Sequence, residues 1–222
     1  MGDDVLRKVS GAQMRGRVVN LDTTQLLAIA AALGWASGLR LYAVLFLTGL
    51  AGHLGWVALP PGVHLLQNPL MLGASGLMLF IEFFADKISG FDTLWDLVHT
   101  VVRIPAGAAL AAAVFGADQS TWASAAALLG GTLAATSHVA KATTRAALNT
   151  SPEPFSNLGM SLLGDAMVPA TLWLAYAHPL VALVAITLAT LAMLVVIVVL
   201  ARFLRALWAR LRGRAPRARQ AV

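Results

Sequence analysis

Cysteine is absent from the 222 residues, so neither a disulfide framework nor a thiolate metal site can be built. Charge is nearly as scarce. Charged residues make up 12% of the chain, against about 25% in an ordinary soluble domain. Hydrophobic residues supply 59%, and mean hydropathy is +0.77. With half the usual solubilising charge missing, the chain belongs in a lipid bilayer. Missing too are a nucleophile elbow, a His-Glu-x-x-His zinc motif and a phosphate-binding glycine loop.

The net charge of +6 imitates a nucleic-acid-binding protein until it is located. Residues 1–17 hold four basic and two acidic groups, and residues 202–222 hold seven arginines and no acid. Between them lie five basic and eight acidic groups, so the middle is acidic. Basic ends hold a membrane protein to the cytoplasmic face and to anionic lipid, which leaves no support for a nucleic-acid partner. The expected division is a basic cytoplasmic arm over 1–22, a transmembrane helical domain over 23–203 and an arginine-rich cytoplasmic tail over 204–222. The arm leads into an apolar run with no clear signal-peptidase site, so it is expected to be retained.

A spanning helix needs about 20 apolar residues, and six candidates appear. They run from about Leu26 to Leu50, Pro69 to Ala85, a third ending near Gly116, a fourth ending near Leu148, Asn157 to Tyr176, and His178-Pro179 to Ala201. The Gly- and Pro-rich stretch 51–68 predicts a loop at the membrane interface, with Trp56 in it. Ser120 or Thr121 is available to cap the fourth helix and Ser156 the fifth. The loops at 51–68, 117–121 and 177–179 contain no Lys or Arg, so both termini are expected on the cytoplasmic side. The fold expected is an all-α integral membrane protein of about six transmembrane helices, some broken or re-entrant. Weak matches (Leu33-x-x-x-Ser37 with Leu133-x-x-x-Ser137, for instance) raise a 3+3 inverted repeat as a suspicion.

Against this oily background, Glu82 to Arg103 carries seven ionisable side chains: Glu82, Asp86, Lys87, Asp92, Asp96, His99 and Arg103. The last four sit at i, i+4, i+7 and i+11, one face of a helix. His138, Lys141 and Arg145 repeat the pattern further on, followed by Asn149 and the run NTSPEPFSN. A charge at mid-bilayer costs about 2.5–3.5 kcal/mol on insertion scales, so such groups must pair, face water or act. Arg40, Lys87, Arg103, Lys141 and Arg145 nearly balance Glu82, Asp86, Asp92, Asp96, Glu153 and Asp165. The expectation is convergence at the cytoplasmic half of the bundle.

Plainer readings stand beside each group. Glu82, Asp86 and Lys87 lie at a span end, where side chains snorkel to the interface. Asp92 to Arg103 would also suit a solvated amphipathic helix on the surface. That leaves only Ile104–Phe115 for the third span, about 18 Å, where a crossing needs about 30 Å. Either the polar stripe enters the bilayer or the third span is re-entrant. NTSPEPFSN reads equally as a plain cytoplasmic loop or as irregular backbone beside an anion-attracting helix start near Ser156 and Asn157.

EFFADKISGFDTLWDLVHTVVRIPAGA together with ATTRAALNTSPEPFSNLGMSLLGD resembles the domain-of-unknown-function 4126 family of bacterial membrane proteins, over about Leu26 to His178. The resemblance implies a small multispanning inner-membrane protein and no substrate. It also implies that Glu82, Asp86, Lys87, Asp92, Asp96, His99, Arg103, Arg145, Asn149 and Ser151–Asn157 belong to the family's pattern. Arg40, in ASGLRLY, departs from it, since a small polar residue such as Asn is expected there.

The function expected is movement of a small solute or ion through a charged cavity. Glu82, Asp86, Lys87, Asp92, Asp96, His99, Arg103, His138, Lys141, Arg145, Asn149, Glu153, Ser156, Asn157 and Asp165 make up the pathway. Histidine exchanges protons near neutrality, so His99, three residues from Asp96, fits a proton-coupled step. No cofactor is expected on this reading. Two alternatives stay open. One is an intramembrane enzyme acting on a lipid or polyprenyl phosphate, with magnesium or manganese on Asp92, Asp96, His99, Glu82 and Asp86. The other is a non-catalytic scaffold that uses the small-residue segments AGAALAAAVFG and ALLGGTLAAT. A homo-oligomer is compatible with all three.

Overall fold

Apolar runs punctuated by proline, glycine and asparagine become helices, and among the described residues no strand forms. The computed structural model describes residues 21–88, 91–150 and 154–213. The long helices are α1 (Thr23–His53), α2 (Pro69–Ala85), α3 (Phe91–Phe115), α4 (Ser120–Leu148), α5 (Pro154–Ala177) and α6 (Pro179–Gly213). Short 3-10 turns precede α2 (Pro61–Gln67) and α4 (Ala117–Gln119). The basic arm, and the tail beyond residue 213, lie outside the described residues.

Local chemistry sets most of the boundaries. Asp22 starts α1 through a capping box, its Oδ1 accepting from Gln25 N at 2.7 Å while Gln25 Oε1 accepts from Asp22 N. Asn68 caps α2 by accepting from Leu70 N at 2.8 Å. Pro69 then fills the first helical position, where a missing N–H loses nothing. Pro154 does the same for α5, so that helix starts before the Asn157 expected. Ser156 therefore lies within the first turn and does not cap it. Nor do Ser120 and Thr121 cap α4. A 3-10 turn runs directly into the helix, and Gln119 at the cap makes no side-chain bond.

Four of these helices are long and apolar enough to cross a membrane: α1, α3 from Leu94, α5 from Leu158, and α6 to Arg210. The Pro61–Gln67 turn and α2, bent by 70° from each other, qualify together as a fifth. The chain is thus a multi-pass membrane protein. Helix α4 is long enough, but Ser, Thr and Gly dilute its first half, and it is not among the apolar set. The 51–68 connection is not simply a loop at the interface. Leu59, Val63 and Leu66 are buried, and Gly62 packs against the Ala113 backbone of α3. In α3 the polar stripe and the apolar half form one continuous helix of 25 residues, about 37 Å at 1.5 Å per residue. The stripe enters the span.

Helix α1 is the hub, touching all five other helices and buried almost without interruption from Ala28 to Val44. Helix α6 is its opposite, with Leu180, Val184, Leu188, Leu191, Val195 and Val199 exposed as a lipid-facing surface. It continues unbroken past residue 203 through Arg205 and Arg210. Small residues let the inner helices meet. A Cβ on Gly34 of α1 would fall 2.5 Å from Gly130 Cα of α4, and one on Gly130 would fall 2.3 Å from Ala111 Cβ of α3. The small-residue segments of α3 and α4 are therefore packed against each other and α1, within one chain.

Gly130→Leu is expected to destabilise the fold by about 1–3 kcal/mol or more through overpacking. Gly159→Ala, at a site with nothing within 4 Å of the new Cβ, is expected to change little. Thermal unfolding in detergent measures both.

Candidate functional site

The site begins with a break in α1. Arg40 has φ −150° and ψ 91°, an extended residue inside an otherwise helical run. A break frees backbone carbonyls, which at membrane depth must find protein donors. Here Lys141 Nζ of α4 donates to Leu39 O at 3.0 Å. One turn earlier Ser137 Oγ donates to Trp35 O at 2.7 Å.

The break directs the Arg40 side chain, 1% exposed, into the other helices. Its Nη2 lies 3.0 Å from Asp86 Oδ2 and 3.0 Å from Ser161 Oγ, and its Nε lies 2.9 Å from Asp165 Oδ1. Asp86, the C-cap of α2, is fully buried and meets three cations: Arg40, Lys141 at 3.1 Å and Arg145 at 2.9 Å. Asp96 of α3 meets three as well, Arg103 at 2.6 Å and Lys141 and Arg145 at 3.2 Å each. Arg103 bridges Asp96 to Glu82 at 2.5 Å, and Lys87 closes the far end on Asp165 at 3.4 Å.

The pairs make one connected path, Glu82–Arg103–Asp96–Lys141 and Arg145–Asp86–Arg40–Asp165–Lys87, joining α1 to α5. A lone charge buried here would carry a heavy desolvation cost, and removing one partner of a buried pair typically costs about 3–5 kcal/mol. Alternation of sign is what makes the burial tolerable. Snorkelling does not describe Glu82 or Asp86, both with zero exposure. Lys87 is the outermost member, its Nζ 3.0 Å above the Phe83 ring.

The remaining predicted residues fall into three groups. His138 joins the edge of the network, with Nε2 2.7 Å from Thr100 Oγ1 and Nδ1 3.4 Å from Arg103 Nη1. His99 sits behind it, Nδ1 2.8 Å from Trp95 O, its ring stacked on Trp95 and edge-on to Tyr42. Asn149 is the exposed C-cap of α4, and Ser156 is partly exposed in the first turn of α5. The side chains of Asp92 and Asn157, and Glu153 altogether, lie outside the described residues. Among the described residues, no three His, Asp or Glu side chains are grouped to hold a metal ion. The carboxylates face cations rather than one another.

Sequence reasoning left two participants out of the candidate pathway, although Arg40 was counted among the charges expected to converge. Arg40, set apart as a departure, ties three helices together. Its signal was available, since a single charge in an apolar span needs a countercharge. Ser161 gave none, being one serine among many in such a chain.

Beside the network lies a cavity of about 210 Å³ between α1, α4, α5 and α6. Arg40, Asp86, Lys141 and Arg145 border it, and Met160, Met167, Met193 and Val196 are among its apolar lining. The space is therefore largely apolar and adaptable, with the buried charges of the network beside it.

The family described as Domain of unknown function (DUF4126) matches residues 27–201. The chain belongs to that family. The match takes in every member of the ion-pair path and every residue lining the cavity, and leaves out both basic ends. No curated protein and no solved structure matches the chain.

Glu82→Leu alone is expected to cost about 3 kcal/mol by removing one of the two carboxylates that Arg103 faces. The pair Glu82→Leu with Arg103→Met is expected to recover more than half of that loss. A double-mutant cycle on unfolding in sodium dodecyl sulfate measures the coupling.

Proposed function

We propose that the chain is a membrane carrier or channel for a small solute, with the cavity beside Arg40 as its binding site. One observation carries this: a partly open, largely apolar space bordered by buried charged residues lies at a break in the central helix. Broken helices that bring charged groups to a cavity within the bundle are the means by which many secondary transporters hold substrate. Ionisable side chains within a span mark such paths by default.

In this reading the bundle has six spans with both termini on the cytoplasmic side of a bacterial inner membrane. Helix α4 is the sixth, at about 43 Å long enough to cross, and its packing on α1 and α3 reduces the lipid-facing surface it must supply. Three helices then form each half. Helices α1 and α4, the first of each, cross at Gly34 and Gly130, which supports the inverted repeat. Ion pairs between helices offer the two discrete arrangements that alternating access needs, because Lys141 and Arg145 each contact both Asp86 and Asp96. Proton coupling falls to His99, one turn from Asp96 on α3.

Uptake into proteoliposomes containing the full chain tests this, with sodium, potassium, inorganic phosphate, short carboxylates and amino acids as probes. At least one probe is expected to enter faster than into protein-free vesicles, with Asp96→Asn and His99→Ala each cutting its uptake tenfold or more. Uptake of none, or unchanged uptake in both variants, overturns the assignment. His99 makes an intrahelical bond and ring contacts, so its variant reads the path with the ion pairs intact.

A further inference from the structure

We infer that the cavity beside Arg40 holds the end of a phospholipid acyl chain, which enters from the bilayer between α5 and α6 and competes with the solute. The competition rests on the preceding reading of the cavity as the solute site; occupation by the chain does not.

Three observations converge. The first is the way in. Three lining residues are exposed, Met160 (38%) and Leu163 (50%) of α5 and Val196 (37%) of α6. All three are apolar, so among the described residues the mouth has no polar rim. It is continuous with the lipid-facing surface of α6, where Leu191, Val195 and Val199 are exposed. Val196 lies about 26 Å along α6 from Pro179, within a hydrocarbon layer about 30 Å thick. What meets this mouth is therefore acyl chain.

The second is the lining. Leu39, Ala140, Met167 and Met193 continue the apolar surface inward. The charged groups that border the space pair with one another, Asp86 meeting Arg40 at 3.0 Å, Lys141 at 3.1 Å and Arg145 at 2.9 Å. A water held in a cavity needs about two to four polar partners, whereas a hydrocarbon chain needs only surface to touch. Methionine side chains adapt to a flexible chain better than branched ones do.

The third is size. By the measure of benzene filling an apolar cavity of about 150 Å³, a space of about 210 Å³ takes roughly eight carbon atoms. An acyl chain that reaches across its leaflet is longer than that. Its end fills the space while the rest, with the headgroup, stays in the bilayer.

Full-length protein is reconstituted in vesicles of phosphatidylcholine carrying a diazirine either at the chain end or beside the ester, irradiated, and mapped by peptide mass spectrometry. The chain-end label is expected on residues 160–167 and on Met193 at about five times or more its level on the outward-facing Leu188 and Leu191. The ester-side label is expected to show no such excess. Met193→Trp fills the space and is expected to cut labelling of 160–167 fivefold or more, with outward labelling, helix content and elution volume unchanged. The two label positions are compared in the native sequence, so the test stands even where that variant fails to fold. Cavity labelling no higher than outward labelling, an equal excess from both label positions, or full labelling of a folded Met193→Trp overturns the inference. Labelling by diazirine palmitate alone assigns the space to a free fatty acid and overturns the phospholipid. Diphytanoyl lipids, whose branched chains are too wide for the space, are expected to raise solute uptake threefold or more; unchanged uptake overturns the competition. Cavity labelling without uptake of any probe removes the transport reading and leaves the chain in place. Uptake without cavity labelling does the reverse.

Discussion

Burial of charge in an apolar bundle is the constraint on which the rest of this structure depends. Four carboxylates and five cations, all between α1 and α5 among the described residues, lie in one path of alternating sign. Each inner carboxylate meets three cations. Such an arrangement specifies how five helices sit relative to one another, because sliding any one of them strands a charge in a medium that cannot solvate it. Helix α6 supplies none of these groups. It needs only an apolar face toward lipid and two side chains, Met193 and Val196, toward the cavity.

The break at Arg40 and the cavity have a shared cause. An unbroken α1 would satisfy its own backbone and hold residue 40 on a helical surface. Extending that one residue frees Leu39 O, which Lys141 serves, and sends the guanidinium across to Asp86, Ser161 and Asp165. Lys141 thereby joins backbone and network at one atom, its Nζ contacting Leu39 O, Asp86 and Asp96. Helices α4 and α5 pack only lightly on each other, and between them the methionine-lined space remains.

Much of this was legible in the residues. Spacing placed Asp96, His99 and Arg103 on one face of α3. Length left the third span either to take in the polar stripe or to be re-entrant, and stripe and apolar half form one continuous helix of 25 residues. The near balance of acids and bases pointed to convergence, and nine of the candidate side chains do converge, with Arg40 added. What the residues did not show was local backbone choice. Pro154 rather than Ser156 starts α5, and a 3-10 turn rather than a serine cap starts α4, because each depends on how the preceding segment arrives. Arg40 was misjudged for a related reason. A lone arginine in a span carries the same letter whether it snorkels or anchors, and its partners lie 46, 121 and 125 positions away along the chain.

Composition and periodicity by themselves determined that the chain is a helical membrane protein with most of the charge between its basic ends gathered in two seams. Solvation physics forces both results, since an apolar chain must enter lipid and its backbone must then bond to itself. Only tertiary structure decided which cation faces which carboxylate, where α1 breaks, and that a cavity bordered by charged residues stands beside that break. Those outcomes depend on distances of about 3 Å between residues far apart in sequence, and periodicity within one helix holds no information about them.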